Sequence, residues 1–296
     1  MSLKETATET LQILEAGYFF APDGRVVDVE PSLTKAVEST RLYTPEQASA
    51  VFEGLSSASS QRGTIEVTAE TTQIAARRLV ESESITDLVL LNFASARNAG
   101  GGFINGAKAQ EEDLCRCSGL YPCLMSQPRY YEANRNNKSA IYTDHLIYSP
   151  KVPWFRARNR NRPDTLFLAS VITAPAPNAG VVLRNESGSL SDIAEALRRR
   201  AGLVLAVAAD NGHRTILLGA WGCGVFRNDP ALVADAFGRW LESDKFSGAF
   251  DRVVFAIYDQ SKERTTLSAF RQRFTGTEQI HEQRVHSGGT VSKTAR

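Results

Sequence analysis

Histidine and cysteine are both scarce in this chain, four of each among 296 residues. The histidines are His145, His213, His281 and His286, and the last two lie in a polar tail. That leaves little material for a histidine-based metal site or a nucleophilic triad. Four cysteines in a chain of this length make no disulfide framework, so reduced thiols are expected. Net charge is nearly absent too: 34 lysines and arginines face 33 aspartates and glutamates. Neither a membrane surface nor sequence-specific nucleic acid is therefore an expected partner. No stretch comes near the roughly 20 apolar residues that span a bilayer. The start, Met1 to Glu5, enters a polar helical pattern without the apolar core of a secretory signal. These absences lead us to expect an intracellular protein, cytoplasmic or nuclear, whose chemistry rests on carboxylates.

What is present reads as alternating strands and helices. Leu11, Ile13 and Leu14 recur at helical spacing within residues 4–16, and Ala21-Pro22-Asp23-Gly24 is a turn signal. Thr44-Pro45 caps a second helix over about 45–54. Thr64–Thr68 reads as a short strand, with Thr71 or Thr72 capping a helix that reaches about Glu81. Asp87–Ala94 is a nearly continuous apolar run, the pattern of a strand buried on both faces. Leu166–Ala174, Thr215–Ala220 and Arg252–Ile257 share it. Asp192 and Glu195 suggest a capping box, and Asn211-Gly212 would end that helix. Asp229-Pro230 opens another, which sets Leu232, Val233, Phe237, Trp240 and Leu241 on one stripe. The pattern predicts an α/β/α three-layer sandwich with a mixed, mostly parallel sheet. Residues 1–60 are expected as an N-terminal helical extension, 61–274 as the catalytic domain and 275–296 as a disordered tail.

Two glycine-rich loops follow buried strands, where an open parallel sheet binds its ligands. The first is Asn98-Ala99-Gly100-Gly101-Gly102-Phe103 and the second Gly222-Cys223-Gly224-Val225-Phe226. Glycines let backbone amides approach a ligand closely, and a turn of such amides can cradle phosphate. Each loop is equally readable as a tight connection. Neither matches the dinucleotide fingerprint or the Walker pattern. Gln110-Glu111-Glu112 follows the triple glycine by eight to ten residues. At a helix start these carboxylates would be favoured by the dipole, and one could serve as the acid of a glycoside hydrolysis. The other reading is a solvated first turn. Arg156 to Arg162 packs four arginines into seven positions, either a solvated loop or an electropositive edge for a polyanion.

The run from Asn92 to Phe103, then Gln110-Glu111-Glu112 and Ser118-Gly-Leu-Tyr121, resembles the signature of the poly(ADP-ribose) glycohydrolases. It is most similar to their shorter bacterial-type branch, which also occurs in fungi. The similarity extends to the helix from Glu5 to Leu14, Arg41-Leu-Tyr43, Ser149-Pro-x-Val-Pro153 and the 222–226 loop, and so to most of residues 3–260. That resemblance implies a macrodomain fold and cleavage of the ribose–ribose O-glycosidic bond of poly(ADP-ribose). By that likeness Glu112 protonates the leaving oxygen and an oxocarbenium-like sugar forms, while Glu111 binds ribose hydroxyls. Asn98 and the Gly100, Gly101 and Gly102 segment would hold the distal ribose, with Gln110 beside them. The backbone of Gly222, Cys223, Gly224 and Val225 would cradle the diphosphate, and Phe226 would stack on the ligand. Acting as an acid near neutral pH requires a raised pKa at Glu112.

No cofactor or metal is implied. Cys115, Cys117 and Cys123, with His145, match no common zinc spacing and read as buried structural thiols. The partners implied are poly(ADP-ribose), ADP-ribose and ADP-ribosylated proteins, and a monomer is expected. A hydrolase of mono-ADP-ribose and a non-catalytic ADP-ribose reader are the alternatives.

Overall fold

A computed structural model describes residues 1–56, 61–157, 162–186 and 189–276. The chain begins with α1 (Leu3–Ala16), the hairpin strands β1 (Tyr18–Phe20) and β2 (Val26–Asp28), α2 (Glu30–Ser39), β3 (Arg41–Tyr43) and α3 (Pro45–Gly54). It continues through β4 (Thr64–Thr68), α4 (Thr72–Arg77), β5 (Leu88–Phe93), α5 (Gln110–Cys117), α6 (Leu120–Met125) and α7 (Pro128–Asn136). Then come β6 (Leu146–Trp154), β7 (Phe167–Ala174), α8 (Ala179–Asn185) and α9 (Leu190–Asp210). Last are β8 (Thr215–Gly219), α10 (Pro230–Leu241), β9 (Arg252–Ala256) and α11 (Thr265–Phe274).

Seven strands form one sheet in the order β3-β6-β7-β5-β8-β9-β4. The pairs from β7 to β4 are parallel, and the two at the β3 edge are antiparallel. The apolar runs are continuous because alternate residues serve opposite faces. Val89 and Leu91 of β5 enter one core with Ile172, Ile216, Leu218, Val253 and Phe255, beneath α9, α10 and α11. Leu88 and Leu90 enter the other with Val171, Leu217 and Val254, beneath α4, α5 and α7. Three layers follow directly.

The four apolar runs are β5, β7, β8 and β9, within a residue or two of their expected bounds. Thr44 caps α3 with a full capping box to Gln47, and Asp229 caps α10 through the Ala231 amide. The helix after Thr71 continues past Arg77 as a π turn to Ser82. One expectation is corrected. The capping box of α9 is Ser189 with Asp192, one turn before the Asp192–Glu195 pair: Ser189 Oγ accepts from the Asp192 amide and the Asp192 carboxylate from the Ser189 amide, which commits Asp192 as the third helical residue. Within residues 1–60, β3 is the edge strand of the main sheet and α3 packs on α9. β6 escaped the sequence reading because it carries Pro150 and Pro153. Its register shifts between Ser149 and Val152, and Lys151 takes φ +46 there, so Pro150 sits in a bulge, while Pro153 pairs with Leu168 just past it. The expected tail lies outside the described residues from 277 onward.

Arg156 belongs to neither reading of the arginine run. It is buried, donating to Thr10 Oγ1 at 2.6 Å and the Arg116 carbonyl at 2.8 Å, and paired with Glu9 at 2.5 Å. Arg162 is exposed, and Arg158 and Arg160 lie outside the described residues.

Candidate active site

β5 and β8 are parallel neighbours, so the two glycine loops leave the same edge of the sheet side by side. Their register ends at Leu90 and Leu217. Beyond it the two strands part, and Gln110 closes the slot. Its Oε1 accepts from the Phe93 amide at 2.8 Å, and its Nε2 donates to the Leu91 carbonyl at 2.8 Å and Thr72 Oγ1 at 3.2 Å. Gln110 is thus fully engaged as a surrogate strand, which brings α5 onto the strand end.

α5 opens with Glu111, Glu112 and Asp113 in its first turn and no side-chain cap. The positive potential of this uncapped helix end favours these acids. Successive residues diverge by about 100° on a helix, and the two glutamates part accordingly. Glu111 turns inward, 1% exposed. Its Oε2 accepts from Asn92 Nδ2 and from the Ser95 amide, both at 2.9 Å. Asn92, itself fully buried, also donates to Thr173 Oγ1. Glu111 Oε1 and Asn92 Oδ1 have no partner among the described residues. Burial pushes the Glu111 carboxyl up to about 8, and the Glu112 charge adds to this against the opposing hydrogen bonds.

Glu112 turns the other way, half-buried, against the triple glycine. Its Oε1 accepts from the Gly102 amide at 3.1 Å. Gly101 holds φ +56, and a Cβ there would lie 2.3 Å from that same oxygen. Gly100 holds φ +67, where a Cβ would press on Phe103 and Tyr121. Within this stretch Asn98 donates to Ser95 Oγ, Gly101 to the Asn98 carbonyl and Phe103 to that of Gly100. Asn98 has an exposed side chain at the head of the loop.

The second loop is organised differently. Trp221 is fully buried and anchors it through Nε1 to the Ala174 carbonyl at 3.0 Å. Gly222 holds φ +72, in a space where a Cβ would meet Asn228 and Ala176. Asn228 ties the turn by donating to the Pro177 and Gly222 carbonyls. The amides of Gly222, Gly224, Val225 and Phe226 make no hydrogen bond among the described residues. They border a cleft of about 550 Å³ whose walls include Phe93, Gln110, Ala176, Tyr258 and Phe226. Cys223 contributes its backbone, while burial holds its thiol neutral, pushed up to about 12.

Of the expected site residues, Gln110 and 222–226 line the cleft itself. Glu111, Glu112, Asn98 and 100–102 form the adjoining acid-bearing loop. Sequence reasoning missed Thr71, whose buried Oγ1 is unpartnered beside the cleft. It also missed Tyr258, 60% exposed, although its position just past the β9 run was a usable signal. Tyr142 packs its ring 6.0 Å from Phe226 and holds φ +64, a strained state for a bulky residue that no sequence pattern announces. Cys115, Cys117 and Cys123 are buried free thiols.

Fold and cleft together define a macrodomain-like α/β/α sandwich with a loop of free amides beside a carboxyl pair. The microbial-type PARG catalytic domain matches residues 7–157. The poly(ADP-ribose) glycohydrolase of Thermomonospora curvata is 44% identical over 92% of this chain and 99% of that one, with a TM-score of 0.84. The same enzyme bound to the inhibitor ADP-HPD gives 44% and 0.83 over the same shares. Poly(ADP-ribose) glycohydrolase from Deinococcus radiodurans in complex with ADP-ribose is 50% identical over 82% and 97%, with a TM-score of 0.76. No curated protein matches. The chain belongs to the microbial-type poly(ADP-ribose) glycohydrolase family.

Proposed function

We propose that this protein hydrolyses the ribose–ribose O-glycosidic bond of poly(ADP-ribose) and releases ADP-ribose, with Glu112 as the general acid. The observation that carries the reading is the carboxyl pair at the start of α5 beside a loop of free amides. Those amides suit a diphosphate, and burying the remote ADP group there would hold the scissile bond beside one acid. Glu112 Oε1 is fixed by Gly102, which leaves Oε2 to deliver a proton to the leaving 2′-oxygen. The glycosidic electron pair departs with that oxygen, and an oxocarbenium-like sugar remains. Water adds to it and gives its proton back to Glu112.

Glu111 presents its unpartnered Oε1 to ribose hydroxyls. Accepting them favours the ionised form of Glu111, against the burial that pushes its carboxyl up to about 8. Asn98 hydrogen-bonds the same ribose, and Phe226 stacks on the ligand, backed by Tyr142. No cofactor enters the scheme, and the protein acts as a monomer on free or protein-attached polymer.

The test is metal-free incubation with labelled poly(ADP-ribose) beside Glu112→Gln. Release by the wild type, lowered about 10²–10⁴-fold in the variant, is the size expected for a general acid. ADP-ribose binding should persist in both. Binding without release by the wild type would instead make the protein a reader or a hydrolase of mono-ADP-ribose.

A further inference from the structure

Two guanidinium groups sit on the acid-bearing loop without an assigned task. Arg97 precedes Asn98, is exposed, and its side chain makes no hydrogen bond or ion pair among the described residues. Arg135, near the end of α7, is exposed as well and donates from Nη1 to the Arg97 carbonyl at 2.8 Å. That bond holds the Arg135 guanidinium against the backbone of the loop that carries Arg97. Glu132, one turn earlier on α7, forms no ion pair among the described residues, so the cations are not neutralised within this cluster.

Neither arginine lines the cleft, so neither is placed for the ADP-ribose unit held inside it. Their loop is the one that wraps Glu112, through Gly101 and Gly102. After protonation by Glu112 the leaving oxygen belongs to the remainder of the polymer. That remainder must exit past this loop, and each of its units carries a diphosphate. Paired guanidinium groups suit phosphate oxygens, through forked N–H donors and charge.

We propose that Arg97 and Arg135 form a leaving-side subsite that binds the diphosphate of the next ADP-ribose unit, so selecting polymer over a single unit. This rests on the glycohydrolase reading above. Both residues are specificity determinants that touch substrate beyond the scissile bond.

The experiment compares wild type, Arg97→Glu, Arg97→Lys and Arg135→Gln on long poly(ADP-ribose), with ADP-ribose affinity measured alongside. Arg97→Glu should raise the polymer KM roughly tenfold, the scale of one charge-assisted contact. Its kcat and ADP-ribose affinity should stay near wild type, and Arg97→Lys should keep most of the polymer affinity. Added salt should weaken polymer binding more steeply in the wild type than in Arg97→Glu. An unchanged polymer KM in Arg97→Glu and Arg135→Gln, with ADP-ribose affinity intact, would overturn the subsite. Absence of ADP-ribose release by the wild type would overturn the parent reading, and that outcome is visible before any variant is assayed.

Discussion

The two glycine loops look alike in sequence and behave as opposites in structure. In residues 98–102 the amides of Asn98, Gly101 and Gly102 are spent on the protein itself, on Ser95, on the Asn98 carbonyl and on Glu112. In residues 222–226 the amides of Gly222, Gly224, Val225 and Phe226 are free and border the cleft. The first loop is a holder for acids, and its glycines make room for a carboxylate. The second leaves its amides open to the cleft, and Trp221 and Asn228 brace it from behind. Glycine enrichment therefore marks close approach without saying what approaches.

Substituting one glycine in each loop should separate the two roles. Gly101→Ala would place a methyl 2.3 Å from Glu112 Oε1, at a position already holding φ +56. The obstructed group is the flexible end of a side chain, so the fold survives while the acid is displaced. A shift on the order of 1 Å at the reacting group costs about 10²-fold in rate. Turnover of polymer should fall by that factor with ADP-ribose affinity within a few-fold of wild type. Equal losses in both would erase the distinction. Gly222→Ala should show the reverse. Its Cβ would meet Asn228 Nδ2 at 2.4 Å and Ala176 at 2.5 Å, tilting the free amides away from the ligand. ADP-ribose affinity should drop about tenfold, which corresponds to about 1.4 kcal/mol. Gly54→Ala, at the end of α3 and outside both loops, meets open space and serves as the control, and titration calorimetry reads all three.

The same contrast explains what the sequence could disclose. β5, β7, β8 and β9 were legible because both faces are buried, which leaves uninterrupted apolar runs. β6 was not, since Pro150 and Pro153 look like strand breakers until the bulge at Lys151 is seen. The acid pair was legible as a motif, and its placement at a helix start followed from spacing. Which glutamate turns inward was not legible, because that depends on how Gln110 docks α5 on the end of β5. The free amides in 222–226 were foreseeable as a nest, while the bonds that the Asn98, Gly101 and Gly102 amides make to the protein itself had no signal in the sequence. Arg156 shows the same limit: a charge run gives no hint that its first member is buried against Thr10 and Glu9.

The smallest effect tests the acid-holding loop from the side of stability. Glu111 is held at about 8 in the fold, above its ordinary 4.5. Between those values the folded protein keeps a proton that the unfolded chain has released. Stability therefore declines as pH rises from about 4.5 to about 8, and it levels off above. Glu111→Gln removes this titration and retains the capacity to hydrogen-bond. Its melting temperature should gain on the wild type progressively across that window, then hold a constant lead. The scale is about 2–4 °C for each kcal/mol recovered. Taking the difference between the two proteins cancels the other titrating groups. Parallel melting curves from pH 5 to 8 would mean that the Asn92 and Ser95 hydrogen bonds already compensate the buried charge. The loop would then be built to hold an ionised Glu111.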